Sequence, residues 1–368
     1  MRFFAVILTA GLVATPLAAT ADPLTPFLPG SSVVALADAL PHYENAENRT
    51  KEFYTEWWSF VFQLEDGYWT DAVFSITNIG PGDGKGKVDT ELELPDGQKF
   101  KESKDLALGE WSNAKDTFRL SFGENTLNGP LEAMTLHLKN RSFEAEYKIT
   151  NLVPPWKPGS GRVQFGARAD QYYLFQIIAP IARVEGTVRI DGEEQARTVK
   201  GLVYVEHHVA SAGLAEFPKQ WIRFRTQDPQ TTFLLGDLRT PDGYGGKPIR
   251  FVVLWKDGVK QFESVDFQLK FDRVRPDIKK AEYQIPQILE FQGTDGDVKF
   301  HGAFKAPKDG GRTDFLEEAD AATRFVVSKF ARPMLYNWNS VFAIEVSSPG
   351  RKVDIRGKGR YYLSIFKP

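Results

Sequence analysis

Residues 52–69, EFYTEWWSFVFQLEDGYW, constrain this chain more than any other segment: eight of the eighteen are aromatic. In an extended strand successive side chains leave on opposite faces. Glu56, Trp58, Phe60 and Phe62 therefore share one face, and Trp57, Ser59, Val61 and Gln63 the other. A solvated strand does not carry so many rings. The pattern suits a strand that lines something large and apolar, with one carboxylate set among the rings.

The same period of two recurs along the chain. Phe143, Ala145, Tyr147 and Ile149 form one face, as do Val184, Gly186, Val188 and Ile190. Val265, Phe267, Leu269 and Phe271 repeat it, followed by Val298, Phe300, Gly302 and Phe304. Turn signals separate the runs: Pro95-Asp96-Gly97, Asp191-Gly192, Pro241-Asp242-Gly243, Asp257-Gly258 and Asp295-Gly296. Many short strands with such turns predict an all-β sandwich or barrel. One amphipathic helix is expected late in the chain. Asp314 and Glu317 form a capping pair, Phe315, Ala319, Ala322, Val326 and Phe330 form the apolar stripe, and Arg332-Pro333 stops it. A lone helix between late strands favours a barrel.

A chain of 368 residues suits two domains, and a Trp-led strand occurs twice, at Trp57 and at Trp221. The expected organisation is a signal peptide over 1–21, an N-terminal arm over 22–51, one barrel over 52–195 and a second over 196–368. The signal peptide is read from Arg2, the apolar run 3–13 and Ala19-Thr20-Ala21 as a cleavage site. Export follows, to the periplasm of a bacterium or the exterior of a eukaryotic cell. The 46 basic residues balance 48 acidic ones, which argues against a nucleic-acid partner. Without cysteine there is neither a disulfide nor a thiolate metal site.

Two constellations could carry chemistry. Glu56 lies on an apolar face, where burial raises a carboxyl pKa and prepares a general acid for protonating an olefin. The plainer assignment pairs it with an arginine at the barrel mouth. In Gly201-Leu202-Val203-Tyr204-Val205-Glu206-His207-His208, strand parity puts Tyr204, Glu206 and His208 on one face and His207 with Val203, Val205 and Val209 on the other. The first set supplies a hydroxyl, a carboxylate and an imidazole, for acid–base work or for a buried structural network. Adjacent histidines of a regular strand cannot both reach one metal, so no metal site is expected. Trp221, Arg223 and Arg225 share a face of the following strand, where an arginine opposite Glu206 would lower its pKa. Tyr172, Tyr173, Trp255, Tyr336 and Trp338 add rings that suit a pocket or a core. Neither a Gly-rich phosphate loop nor a G-x-S-x-G elbow occurs.

Glu56-Trp57-Trp58-Ser59-Phe60 resembles the E-W-W-aromatic-F pattern of a known family. It is the two-domain lipocalin-like superfamily of hydroxyneurosporene synthase (carotenoid hydratase), survival-factor and Diels-Alderase-type proteins. Residues 201–209 resemble its central G-x-x-W/Y-x-D-H-x-W segment, with Glu206 in place of aspartate and Val209 in place of tryptophan. Residues 357–363 look like its closing strand. The resemblance spans most of the mature chain and implies two calycin-like barrels, a hydrophobic ligand, and Glu56, Trp57, Trp58, Glu206 and His207 as motif residues. The expectation is an exported, monomeric binding protein for a lipid or isoprenoid, exchanging it at membrane surfaces and needing no cofactor. The alternative is an enzyme that hydrates, isomerises or cyclises a polyene. Glu56, Glu206 and His208 are the candidate catalytic residues. Trp57, Trp58, Phe60, Tyr173, Tyr204, His207, Trp221, Arg223, Tyr336 and Trp338 are the candidate ligand contacts.

Overall fold

The computed structural model describes residues 23–28, 32–79, 82–166, 171–212, 217–226, 228–307, 310–317, 324 and 332–366. The signal segment lies outside them, as do residues 318–323 and 325–330 of the expected helix. Asp314 closes a short strand, Gly311–Asp314, and its carboxylate accepts the N–H of Leu316 at 3.1 Å.

The chain is built almost entirely of antiparallel strands and divides into two compact units. Among the described residues the first holds those within 32–157 and 171–212, and the second those within 23–28, 158–166 and 217–366. In the first unit the strand Thr55–Leu64 pairs on one side with Trp69–Thr77 and on the other with Arg197–Ala210. The sheet then runs from Arg197–Ala210 through Tyr172–Ile190 and Phe143–Asn151 to Ala133–Lys139 and beyond. In the second unit Gln220–Thr226 takes the place of Thr55–Leu64. It pairs with Thr231–Arg239 and with the last strand, Arg351–Ile365, which pairs in turn with Met334–Ser348. In both units the first long strand thus lies between the strand that follows it and the last strand. The two Trp-led strands occupy equivalent places, so the repeat is one of topology.

The boundary expected at 195 moves. Asp191 to Glu194 joins two strands that pair with each other, Tyr172–Ile190 and Arg197–Ala210, so the first barrel runs on through Ala210. The Tyr172–Ile190 strand breaks register between Ile177 and Ala182. Pro180 sits there and has no N–H to give the ladder.

Each sheet curls around its own core. In the first, Trp58, Phe60, Phe62, Phe74, Phe118, Phe122, Tyr147, Val203, Val205 and Val209 are buried together. The curl is closed by side chains: the Trp111 indole donates to the Gly84 carbonyl at 2.7 Å, and Phe74 stacks on Phe122 at 5.1 Å. The second core gathers Phe224, Phe233, Phe291, Phe304, Phe342, Tyr336, Trp338 and Tyr361. There Phe262 stacks on Phe300 at 4.2 Å, and the Glu263 N–H donates to Asp295 at 2.9 Å. Among the described residues no helix is long and apolar enough to cross a membrane.

Candidate functional site

The ladder between Thr55–Leu64 and Arg197–Ala210 places Trp58 opposite His207 and Trp57 opposite His208. Both pairs stack almost flat, at 4.4 and 4.5 Å with 8° between planes. Because neighbours along a strand face opposite ways, one pair points into the barrel core and the other away from it. Two carboxylate–imidazole pairs therefore lie back to back across the sheet.

On the inward face Glu56 is wholly buried, and four donors converge on its carboxylate. They are the backbone N–H of His42 at 2.8 Å and of Tyr43 at 3.0 Å, the Tyr54 hydroxyl at 2.9 Å and His207 Nε2 at 2.8 Å. Burial opposes ionisation of Glu56, but the His207 hydrogen bond and charge, with the His42 N–H, outweigh it and hold the carboxyl below its ordinary value. Burial lowers the His207 pKa against the pull of Glu56. Among the described residues His207 Nδ1 has no hydrogen-bond partner, as befits a neutral imidazole whose one N–H donates to Glu56. Tyr54 is pushed well above its ordinary value, first by burial and then by the Glu56 charge. The partner expected for Glu56 was an arginine. The structure supplies His207 and the arm residues His42 and Tyr43, since backbone N–H groups satisfy a carboxylate without burying a second full charge. An ionised carboxylate with four donors is poorly placed to act as a general acid.

The face turned away from the core carries a longer chain of polar groups. The Tyr204 hydroxyl donates to Glu206 Oε2 at 2.9 Å, and Glu206 Oε1 lies 3.2 Å from His208 Nε2. His208 Nδ1 meets the Tyr173 hydroxyl at 2.6 Å. The His208 tautomer with its proton on Nε2, beside Glu206, leaves Nδ1 to accept from Tyr173. Trp57 stacks on one side of His208, with Phe175 at 4.9 Å and Tyr173 at 5.8 Å around it. Glu206, His208, Trp57 and Tyr173 are buried, and Tyr204 is half-buried. A carboxylate that orients an imidazole, which in turn meets a hydroxyl, is the arrangement that draws a proton from that hydroxyl or returns it.

Other candidate contacts lie elsewhere. Trp58 and Phe60 are core residues of the first barrel, Phe60 packing on Phe74 at 5.6 Å. Tyr336 and Trp338 are core residues of the second. They stack on each other, and the Tyr336 hydroxyl donates to Asp277 at 2.9 Å. The strand carrying Trp221 and Arg223 belongs to the second unit and is not a ladder neighbour of Arg197–Ala210. Its guanidinium groups stack on rings: Arg223 lies 4.4 Å from Trp221, and Arg225 lies 5.4 Å from Tyr362. In that unit Tyr362 and Ser364 face Arg223 and Trp221 across the ladder, where Glu206 and His208 face Ser59 and Trp57 in the first. The carboxylate–imidazole chain thus belongs to the first unit. His42, Tyr43, Tyr54, Asn48 and Phe175 also belong to these networks and were not legible as site residues in the sequence. Among the described residues no group of three or more His, Asp or Glu side chains is placed to hold a metal ion.

No protein-family model matches this sequence, and no curated protein sequence matches it significantly. Solved structures do match in fold. A protein provisionally assigned as AttH from Nitrosomonas europaea is 16% identical, with 92% of this chain and 99% of that one covered at a TM-score of 0.57. CghA in complex with Sch210972 is 10% identical, with 92% and 95% covered at the same TM-score. The chain therefore has the tandem lipocalin-like fold of these proteins, and the resemblance seen in its Glu56-Trp57-Trp58 and 201–209 segments holds at the level of fold.

Proposed function

We propose that this protein binds a hydrophobic, unsaturated small molecule of polyene or isoprenoid type and moves a proton to or from it. One observation carries the reading: the Tyr204–Glu206–His208–Tyr173 series, in which Glu206 Oε1 stands 3.2 Å from His208 Nε2, set beside Trp57 and Phe175 on the outer face of the first barrel. Glu206 orients His208, and His208 exchanges a proton with the Tyr173 hydroxyl. Tyr173 is the group that would meet the ligand. Addition of its proton to one olefinic carbon leaves a cation, which the neighbouring ring faces stabilise. The Tyr173 phenolate left behind then takes up the proton released: a different C–H proton in an isomerisation, a C–H proton after attack by a second double bond in a cyclisation, or a proton of the attacking water in a hydration. CghA, whose structure holds Sch210972, supports a small-molecule role for this fold. Carriage without turnover is the second reading, favoured by the complete burial of His208.

The test is solvent exchange into carbon. Purified protein is incubated in D2O with farnesol, retinol or phytoene, and the recovered molecule is analysed by mass spectrometry. Catalysis predicts deuterium at a carbon position or a product of altered mass, reduced about 100-fold or more in Tyr173→Phe and Glu206→Gln. A probe that is retained but returns unlabelled overturns the proton-transfer reading in favour of carriage. Failure of all three to bind overturns both.

A further inference from the structure

Three pairs of consecutive residues straddle the sheet of the first unit: Trp57 with Trp58, Tyr172 with Tyr173, and His207 with His208. The outward member of each belongs to the proton chain or its walls. Trp57 stacks on His208, and the Tyr173 hydroxyl meets His208 Nδ1 at 2.6 Å. The inward member of each is tied, directly or through one carboxylate, to a single short stretch of the N-terminal arm. The Trp58 indole donates to the Ala39 carbonyl at 3.1 Å, and the Tyr172 hydroxyl donates to Asn48 Oδ1 at 2.9 Å. His207 donates to Glu56, which accepts the N–H groups of His42 and Tyr43. The stretch is itself braced. Asn48 Nδ2 donates to the His42 carbonyl at 2.8 Å, and Lys157 meets Asp38 at 2.7 Å.

We infer that residues 38–48 of the arm position the outward proton chain from the opposite face of the sheet, with Asn48 and Glu56 as the positioning residues. A strand residue cannot turn alone. Planar peptides couple each Cα–Cβ direction to the next, so an inward ring pinned to the arm holds the backbone from which the outward ring one residue away projects. Three strands are pinned at one level, and on the far side they present Trp57, His208 and Tyr173 together. The inference rests on the proton-transfer reading of that chain.

The five histidines make a direct test by NMR of the imidazole nitrogens, with His208 assigned by a His208→Gln variant. Asn48→Ala and Glu56→Gln are compared with Thr70→Val, which removes the Thr70–Tyr147 hydrogen bond of 3.0 Å elsewhere in the same core. Asn48→Ala and Glu56→Gln are both expected to displace the Nδ1 and Nε2 resonances of His208. Thr70→Val is expected to lower stability and leave them in place. A folded Asn48→Ala protein with wild-type His208 resonances overturns the inference, as does an equal displacement in Thr70→Val. If Glu56→Gln does not fold, Asn48→Ala decides alone. These resonances are read without ligand, so a missing turnover would overturn the proposed function and leave this result standing.

Discussion

The Glu56 carboxylate is fully buried, yet all its neighbours donate to it. Removing it would leave two backbone N–H groups, a tyrosine hydroxyl and an imidazole N–H without their acceptor. Breaking a buried, charged hydrogen-bond network from one side costs on the order of 3–5 kcal/mol. Glu56→Ala is expected to lose about that much in urea unfolding followed by near-ultraviolet circular dichroism. Glu56→Gln should lose less, because its amide oxygen still accepts from part of the set. An alanine variant as stable as the parent would show that the network contributes nothing net. Parity alone put Glu56 with Trp58, and set His207 apart from Tyr204, Glu206 and His208, because the period of a strand is fixed geometry. The partners were not legible. His42 and Tyr43 come from an arm with no periodic signal, and His207 is 151 positions away. Tyr173 reaches His208 through a register that depends on the irregular stretch between Ile177 and Ala182.

At the scale of elements, Tyr172–Ile190 is the strand on which the first barrel turns. It pairs along one edge with Phe143–Asn151 and along the other with Arg197–Ala210. Gly186 lies opposite Tyr147, and a Cβ there would stand 1.9 Å from the Glu146 carbonyl oxygen. The contact is with backbone, so the strands themselves would have to part. Gly186→Ala is expected to destabilise by about 1–3 kcal/mol. Gly243→Ala, where a Cβ would meet nothing within 4 Å, should stay within about 0.5 kcal/mol of the parent. Equal urea midpoints for the two variants would refute the close approach. Strand existence was legible from alternation at nearly every run, and Asp257-Gly258 turns with both φ angles positive, as a two-residue hairpin requires. The domain boundary was not. Asp191-Gly192-Glu193-Glu194 has the composition of a linker and of a hairpin alike, and only the pairing of its flanking strands separates the two.

At the scale of the molecule, the units bury different kinds of titratable group, and acid should therefore reach them in order. In the first, burial lowers His207 below its ordinary value of 6.5, and hydrogen bonds hold Glu56 below 4.5 despite burial. Both groups bind protons more weakly folded than unfolded, so the unfolded state takes up more protons as the pH falls. Stability linked to His207 is present above about pH 6.5 and is lost as the pH drops through its folded pKa. Glu56 adds its own loss below about 4.5. In the second unit the depressed buried groups are carboxyls. Asp277 is held below 3.8, against burial, by the Tyr336 hydroxyl and the N–H groups of Lys279 and Lys280. Asp314 is held below 3.8, again against burial, by Lys280. Their stability is present above about 3.8 and is lost only below it. Amide hydrogen exchange read unit by unit should therefore show Thr55–Leu64 and Arg197–Ala210 losing protection between about pH 6.5 and 4.5, while Gln220–Thr226 and Arg351–Ile365 keep theirs. A His207→Gln variant keeps a side-chain amide for Glu56 and has no imidazole to protonate, so it should flatten the upper part of that window. Simultaneous loss in both units, or an unchanged profile in His207→Gln, would remove His207 as the source of the acid sensitivity.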